Sequence, residues 1–211
     1  MTAVKICGLS TQPAIQSAID FGADYVGFVH FPRSPRHIGF EQAASLKALL
    51  PESIKSVTVL VDPDDATLAQ ATSILAPDYI QLHGKETPQR VQDIRQRFGT
   101  KIIKAFSVRH DDDISQSRNF YTVCDMLMFD AKAPETALLP GGNGLSFDWA
   151  LLKDRSFPLP WFLSGGLNVD NVAAAIGQTG ATLVDVSSGI ERAPGVKDSA
   201  LIEQFIKAAR I

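Results

Sequence analysis

The chain has 211 residues, 45% of them hydrophobic and 20% charged, with a formal net charge of −3, enough for one domain, residues 1–211, with a full core. No basic block, no apolar stretch of membrane length and no charged-then-apolar leader occurs, so neither nucleic acid nor a membrane is expected as a partner. Its two cysteines, Cys7 and Cys124, are too few for a disulfide framework and match no zinc spacing, which implies a reducing, cytoplasmic setting.

The first apolar run predicts a strand at 3–7, with Lys5 and Cys7 on the same side. A lysine inside such a run is costly unless paired, so an acid is expected beside it. "PAIQSAIDFG" puts Ala14, Ile15, Ala18 and Ile19 on one face of a helix at 12–21, stopped by Gly22. A strand at 24–29 leads to His30 and the loop "HFPRSPRHIG", whose prolines hold Arg33 and Arg36 stiffly. Such a loop suits bidentate presentation of one guanidinium to a ligand carboxylate; solvated surface charge is the plainer reading.

A helix at 40–50, a strand at 56–61 ending in Asp62, a helix at 65–76 and a strand at 78–82 follow. His83 closes that last strand as a catalytic histidine, a hydrogen-bonding wall or a bystander. Next come a helix at 87–98, a strand at 101–106 ending in Phe106 with Lys104 behind it, and a helix at 112–119. The strand at 125–130 ends in Asp130, and Cys124 before it reads as structural. "APETALLPGGNG" (133–144) is a Gly/Pro-rich loop long enough to be functional. The remaining elements are a helix at 147–154, strands at 160–164 and 182–187, a helix at 168–178 capped by Asn168, and a final helix at 198–209.

Strands dense in Val, Ile, Leu and Phe, without alternating charge, belong to a parallel sheet covered on both faces. Eight such units predict a single (β/α)8 TIM barrel, an α/β fold, somewhat below its usual ~250 residues. The nucleotide-binding alternative lacks both GxGxxG after the first strand and GxxxxGK[ST] anywhere.

In a barrel the strand ends meet at one mouth. The ends here are Cys7, His30, Asp62, His83, Phe106, Asp130, Ser164 and Asp185, almost all of them polar. "WFLSGGLN" and "VDVSSGIE" place Gly165–Gly166 and Ser187–Ser188–Gly189 after the last two strands, a pattern suited to holding phosphate by backbone N–H groups at helix starts. Cys7 can act as a base if a neighbouring cation lowers its thiol, or can be only a small buried hydrophobe. Asp130, enclosed by "MLMF", can hold a proton and donate it. No cluster has metal-ligand spacing.

"KICGL" (5–9), "GADYVGFVHFPRSPRHI" (22–38), "QLHG" (81–84), "FDAK" (129–132), "FDW" (147–149), "SGGLN" (164–168) and "VDVSSGIE" (184–191) occur in an order that resembles the phosphoribosylanthranilate isomerase family of tryptophan biosynthesis over nearly the whole chain. The resemblance implies an Amadori rearrangement of N-(5'-phosphoribosyl)anthranilate without cofactor or metal, with Asp130 as acid and Cys7 as base. It also implies Arg36 at the anthranilate, Gly165, Gly166, Ser187, Ser188 and Gly189 at the phosphate, and His83 and Asp185 as further pocket residues. The expected partner is that phosphorylated sugar–anthranilate, and a monomer is expected in preference to a dimer. Two departures stand beside the site: Asn143 where the family has threonine, and Val169 where proline is usual. Another phosphosugar barrel isomerase would carry paired aspartates instead of Cys7 and Asp130; a non-catalytic phosphoribosyl binder is the other rival.

Overall fold

Eight parallel strands close on themselves in sequence order in the computed structural model, which describes residues 1–131 and 146–210. They are β1 (Ala3–Cys7), β2 (Tyr25–Val29), β3 (Lys55–Leu60), β4 (Tyr79–Leu82), β5 (Lys101–Val108), β6 (Met126–Ala131), β7 (Trp161–Leu163) and β8 (Leu183–Val186). Closure is visible at Lys5, which lies opposite Tyr25 of β2 on one side and Asp185 of β8 on the other. The predicted TIM barrel is thus the observed fold.

Each strand buries both faces, which is why its sequence lacks a polar alternation. Outward residues such as Val4, Ile6, Val26, Phe28, Ile80 and Phe129 pack under the helices. Inward residues Val57, Ile103, Ala105, Met126, Met128, Phe162 and Leu183 fill the barrel, with Tyr25 and Tyr79 against them. Tyr25 meets both Tyr79 and Phe162 edge-on, at centroid distances of 6.1 and 5.2 Å, the arrangement that ring quadrupoles favour.

The helical layer begins with α1 (Gln12–Asp20), which buries Ala14, Ile15 and Ala18 on its expected face. It continues with α2 (Phe40–Lys47), then α3 (Asp65–Gln70) with a π turn at Ala71–Leu75, and α4 (Pro88–Phe98), capped by the Thr87 hydroxyl and ended by Gly99 at φ 61°. Next are α5 (Asp111–Ser115) with a 3-10 turn at Gln116–Phe120, α6 (Val172–Thr179) and α7 (Ser199–Ala209).

Three stretches differ from expectation. The helix expected at 147–154 is only a 3-10 turn, Trp149–Leu152. The helix expected from Asn168 starts at Val172, because Asn168 Oδ1 accepts from the backbone N–H of Asp170 (2.9 Å) and Asn171 (3.1 Å) and winds the chain into a turn first. After β8 the chain forms an antiparallel hairpin, β9 (Glu191–Ala193) and β10 (Val196–Lys197), so loop eight does not lead straight into a helix. Val169 is partly buried against the outer core. The loop at 133–144, with Asn143, lies outside the described residues.

Candidate active site

The C-terminal ends of the strands surround a cavity lined on one side by Val29, Phe31, Val59, Val61 and Arg36, and on the other by Ser164, Gly165, Gly166, Ser187 and Ser188. Cys7, Gln81, His83, Asp130 and Asp185 also line it. One wall therefore suits a flat apolar ring, and the other a group bound through backbone N–H and hydroxyl donors.

Strand periodicity decides which predicted ends reach this cavity. Cys7, His83, Asp130, Ser164 and Asp185 do. His30, Asp62, Lys104 and Phe106 do not, for each lies one residue off the inward set. His30 stacks on Phe40 at 3.8 Å and its Nδ1 lies 3.0 Å from the Ile38 carbonyl. Asp62 accepts from the Lys85 N–H at 2.6 Å. Lys104 donates to Glu86 Oε2 at 2.8 Å, and Phe106 belongs to the outer core. Taking every strand end as a mouth residue disregarded the alternation of the strand.

Lys5, fully buried, has the expected acid: its Nζ donates to Asp185 Oδ1 at 2.7 Å. The second oxygen of Asp185 accepts from Ser164 Oγ at 3.0 Å. Burial by itself would lower the Lys5 ammonium, but Asp185 and Cys7 offset this and hold it above its ordinary value. Cys7 stands one inward step nearer the mouth, over Gly27, where any Cβ would come within 2.8 Å of its Sγ. Here the electrostatics reverse an expectation. Burial pushes the Cys7 thiol up, and the opposing pull of Lys5 and Lys197 does not bring it below the ordinary thiol value.

Asp130 is 5% exposed, and its Oδ1 accepts from the backbone N–H of Ala131 at 2.9 Å. Its other oxygen is 3.2 Å from His83 Nε2, off the direction a hydrogen bond requires. On the far side of the ring, His83 Nδ1 is 3.0 Å from Gln81 Nε2. Gln81, Glu191 and Lys197 received no role in the sequence reading; the first two stand inside quoted motifs and were within reach, whereas the third stands inside the unforeseen hairpin.

Arg36 is buried, but one edge of its fork is taken by this chain: Nε donates to Glu191 Oε1 at 2.7 Å and Nη2 to Oε2 at 2.8 Å. A ligand carboxylate cannot use that same edge, which narrows the bidentate expectation. Arg33 is exposed.

Gly165 and Gly166 adopt φ of 89° and 65°, and a Cβ on Gly165 would sit 2.4 Å from the Ala131 N. Asn171 Nδ2 ties the Gly166 carbonyl at 2.9 Å. Ser187 Oγ donates to the Cys7 carbonyl at 3.2 Å. Gly189 packs behind the cavity wall, where a Cβ would meet the Leu167 carbonyl at 2.0 Å. Among the described residues no group of three His, Cys, Asp or Glu side chains is arranged to hold a metal, and no helix is long and apolar enough to cross a membrane.

The family model for N-(5'-phosphoribosyl)anthranilate isomerase matches residues 4–208. An N-(5'-phosphoribosyl)anthranilate isomerase of Parvibaculum lavamentivorans is 50% identical over 209 residues, covering 98% of this chain and 97% of that one. The crystal structure of phosphoribosyl anthranilate isomerase from Thermotoga maritima superposes with a TM-score of 0.88 at 35% identity, covering 100% of this chain and 99% of that one. A further structure, of a phosphoribosyl anthranilate isomerase in complex with reduced 1-(o-carboxyphenylamino)-1-deoxyribulose 5-phosphate, gives a TM-score of 0.85 at 33% identity with the same coverage.

Proposed function

The chain belongs to the N-(5'-phosphoribosyl)anthranilate isomerase family, and from that premise we propose which of its residues perform the reaction. The reaction is the Amadori rearrangement of N-(5'-phosphoribosyl)anthranilate to 1-(2-carboxyphenylamino)-1-deoxyribulose 5-phosphate. The observation that carries the assignment of roles is a buried thiol and a buried carboxyl, Cys7 on β1 and Asp130 on β6, both facing one cavity between an apolar wall and two glycine loops.

Asp130 gives its proton to the ribose ring oxygen. The bond from C1' to that oxygen then breaks, and the anthranilate nitrogen takes up the positive charge as an iminium. Cys7 removes the proton from C2', the electron pair moves toward nitrogen, and an enolamine forms. Tautomerisation to the ketone completes an isomerisation in which only protons move, so the substrate's own nitrogen serves as electron sink.

Burial favours the neutral thiol at rest. The iminium brings a positive charge beside Cys7 only after ring opening, and that charge favours the thiolate at the step that needs it. Lys5 and Lys197 pull the same way. General acid and base transfer of this kind contributes ~10²–10⁴-fold per well-placed group.

His83 orients Asp130, and Asp185 fixes Lys5 beneath Cys7 while its Ser164 partner lines the cavity. Arg36 receives the anthranilate carboxylate. Gly165, Gly166, Ser187 and Ser188 hold the phosphate, with Gly189 shaping the loop from behind. Free thiols at both cysteines accord with a reducing cytoplasm, and one chain supplies every group named, as a monomeric enzyme would require.

The deciding experiment follows the loss of anthranilate-type fluorescence from freshly made substrate, with chelator present and no cofactor added. Turnover well above the uncatalysed rate is expected. Its absence would overturn the reading.

A further inference from the structure

Gln81 is 1% exposed, and its side-chain oxygen Oε1 is buried with no partner among the described residues. An unpaired buried acceptor costs stability, so packing gives no reason for an amide at this place. Its nitrogen gives one.

Gln81 Nε2 lies 3.0 Å from His83 Nδ1 and 3.2 Å from Met128 Sδ. A thioether sulfur accepts, weakly, and never donates, so the amide turns its NH2 group toward this pair. The opposite orientation would set oxygen against sulfur and leave two N–H bonds, instead of one oxygen, without partners. With the NH2 group in that place, His83 Nδ1 is the acceptor. A neutral imidazole carries one proton, which then sits on Nε2. A second proton, on Nδ1, would meet the amide hydrogens head on. Gln81 thus fixes both the tautomer and the charge of the ring.

Nε2 is the nitrogen that faces Asp130 Oδ2, at 3.2 Å, and hydrogen bonds of this kind commonly align only once substrate is bound. The other oxygen, Oδ1, already accepts from the Ala131 N–H. A ring with its proton on Nε2 can only donate to Asp130, so it cannot take the proton that Asp130 holds. With the proton on Nδ1 instead, a bare Nε2 would compete with substrate for that proton. An imidazolium would hold Asp130 as a carboxylate with nothing to give. When the Asp130 O–H bond breaks and its proton passes to the ribose ring oxygen, the carboxylate left behind has two donors, the Ala131 and His83 N–H groups. Cys7, Arg36 and Asp185 share the cavity, but Asp130 is the ionisable group that His83 faces at this distance.

We propose that Gln81 is a positioning residue for the acid: it holds His83 neutral with its proton on Nε2, so that Asp130 keeps its own proton until the ribose ring oxygen takes it. Gln81 acts through His83 without touching the reacting atoms, and this rests on the role given to Asp130 above.

The first test reads the tautomer directly, by NMR of the whole enzyme carrying nitrogen-labelled histidine at neutral pH. The chain has four histidines, and the signals of His83 are those lost in His83→Asn. A hydrogen on Nε2 and none on Nδ1 is expected. A proton on Nδ1, in the other tautomer or in an imidazolium, would overturn the proposal. This measurement needs no change at Gln81, so it decides even if a Gln81 variant does not fold.

Gln81→Met nearly keeps the volume and removes the unpaired oxygen. Its Tm should be unchanged or higher, the fixed tautomer of His83 should be lost, and kcat should fall about tenfold with KM little changed, the rate equivalent of one hydrogen bond. In the His83→Asn background the same change should cost nothing further, as for two residues acting through one contact. A raised KM at wild-type kcat would make Oε1 a substrate contact and overturn the proposal, and so would a further loss of kcat in the His83→Asn background. Asp130→Asn is the control for the underlying role. If it retains wild-type kcat, the acid is misassigned and the proposal falls with it. If Asp130→Asn abolishes turnover while Gln81→Met leaves kcat intact, the proposal alone falls.

Discussion

The inside of the barrel changes character over one step along the strands. Toward the N-terminal ends it is filled by Tyr25, Val57, Tyr79, Ile103, Met126, Phe162 and Leu183. Nearer the mouth the same inward-facing series continues as Cys7, Gln81, His83, Asp130, Ser164 and Asp185. Both layers are built by the same register, so position alone does not separate them. The lower layer has no need of polar partners. In the upper layer Lys5, Asp185 and Ser164 satisfy one another, whereas Gln81 Oε1 is buried with no partner among the described residues. An unpaired buried polar atom costs stability, and it is tolerated beside a cavity that a substrate enters. On the roles proposed above, the lower layer serves the fold and the upper one the reaction.

Changing the upper layer is the strongest test of that division. Cys7→Ser and Asp130→Asn should each lower kcat by about 10²-fold or more, on the scale of general acid–base catalysis, with little change in Tm. The pH dependence follows from the raised thiol. A base acts when deprotonated, and burial moves that deprotonation to higher pH. The rate at which iodoacetamide alkylates Cys7 in the wild type should therefore still climb with pH above the ordinary thiol range, and the climb should be lost in Cys7→Ser. A Cys7→Ser enzyme within threefold of wild-type kcat at saturating substrate would pass the role of base to His83.

The lower layer should respond the other way. Phe162→Ala removes a fully buried ring and should cost about 3–5 kcal/mol of stability, the usual range for such a truncation. Denaturant unfolding measures that loss, and kcat per folded molecule should stay within a few-fold of wild type. A large fall in kcat at full folding would show that the two layers are not separable.

Arg36 stands at the rim of this comparison. Arg36→Lys should lower kcat/KM by about 10–100-fold, as expected for losing one or two charge-assisted hydrogen bonds, because an ammonium cannot grip both Glu191 oxygens and a ligand together. Arg33→Lys, on an exposed residue, should change little. Equal and negligible losses in both would remove the proline loop from substrate recognition.

Much of the upper layer was legible in the sequence, because Cys7, His83, Asp130, Ser164 and Asp185 end apolar strands and lie at inward positions. Strand alternation would also have removed His30, Asp62 and Phe106, since one residue of shift turns a side chain to the other face. The Lys5 partner was legible as a need for some acid, but not as Asp185, because pairing across 180 residues follows from barrel closure alone. The hairpin that carries Lys197 was not legible. Its strands are three and two residues long, too short for any periodicity to register. The late start of α6 was hidden for a local reason: Asn168 looked like a cap, and it does cap, but a turn rather than the helix.

The smallest expected effect belongs to the second cysteine, and it sharpens the contrast most cleanly. Cys124 and Cys7 are both buried free thiols, and alternation back from Met126 would put Cys124 in the inward series. The strand begins only at Met126, so Cys124 turns instead into the outer core, where its Sγ donates to the Phe120 carbonyl at 3.2 Å. Burial, with Asp125 adding to it, pushes its thiol up to about 12, so it has no proton chemistry to offer near neutral pH. Serine can keep the bond to Phe120 but packs less well, and Cys124→Ser should cost about 1 kcal/mol, in line with a small core change, with kcat unchanged. Alkylation gives an independent check. Native Cys7 borders the cavity and should react with iodoacetamide increasingly as pH rises, slowed by bound phosphate-bearing analogue, while Cys124 should react only on unfolding. If Cys124→Ser instead depressed kcat as deeply as Cys7→Ser, location in the upper layer would no longer distinguish a reacting thiol from a packed one.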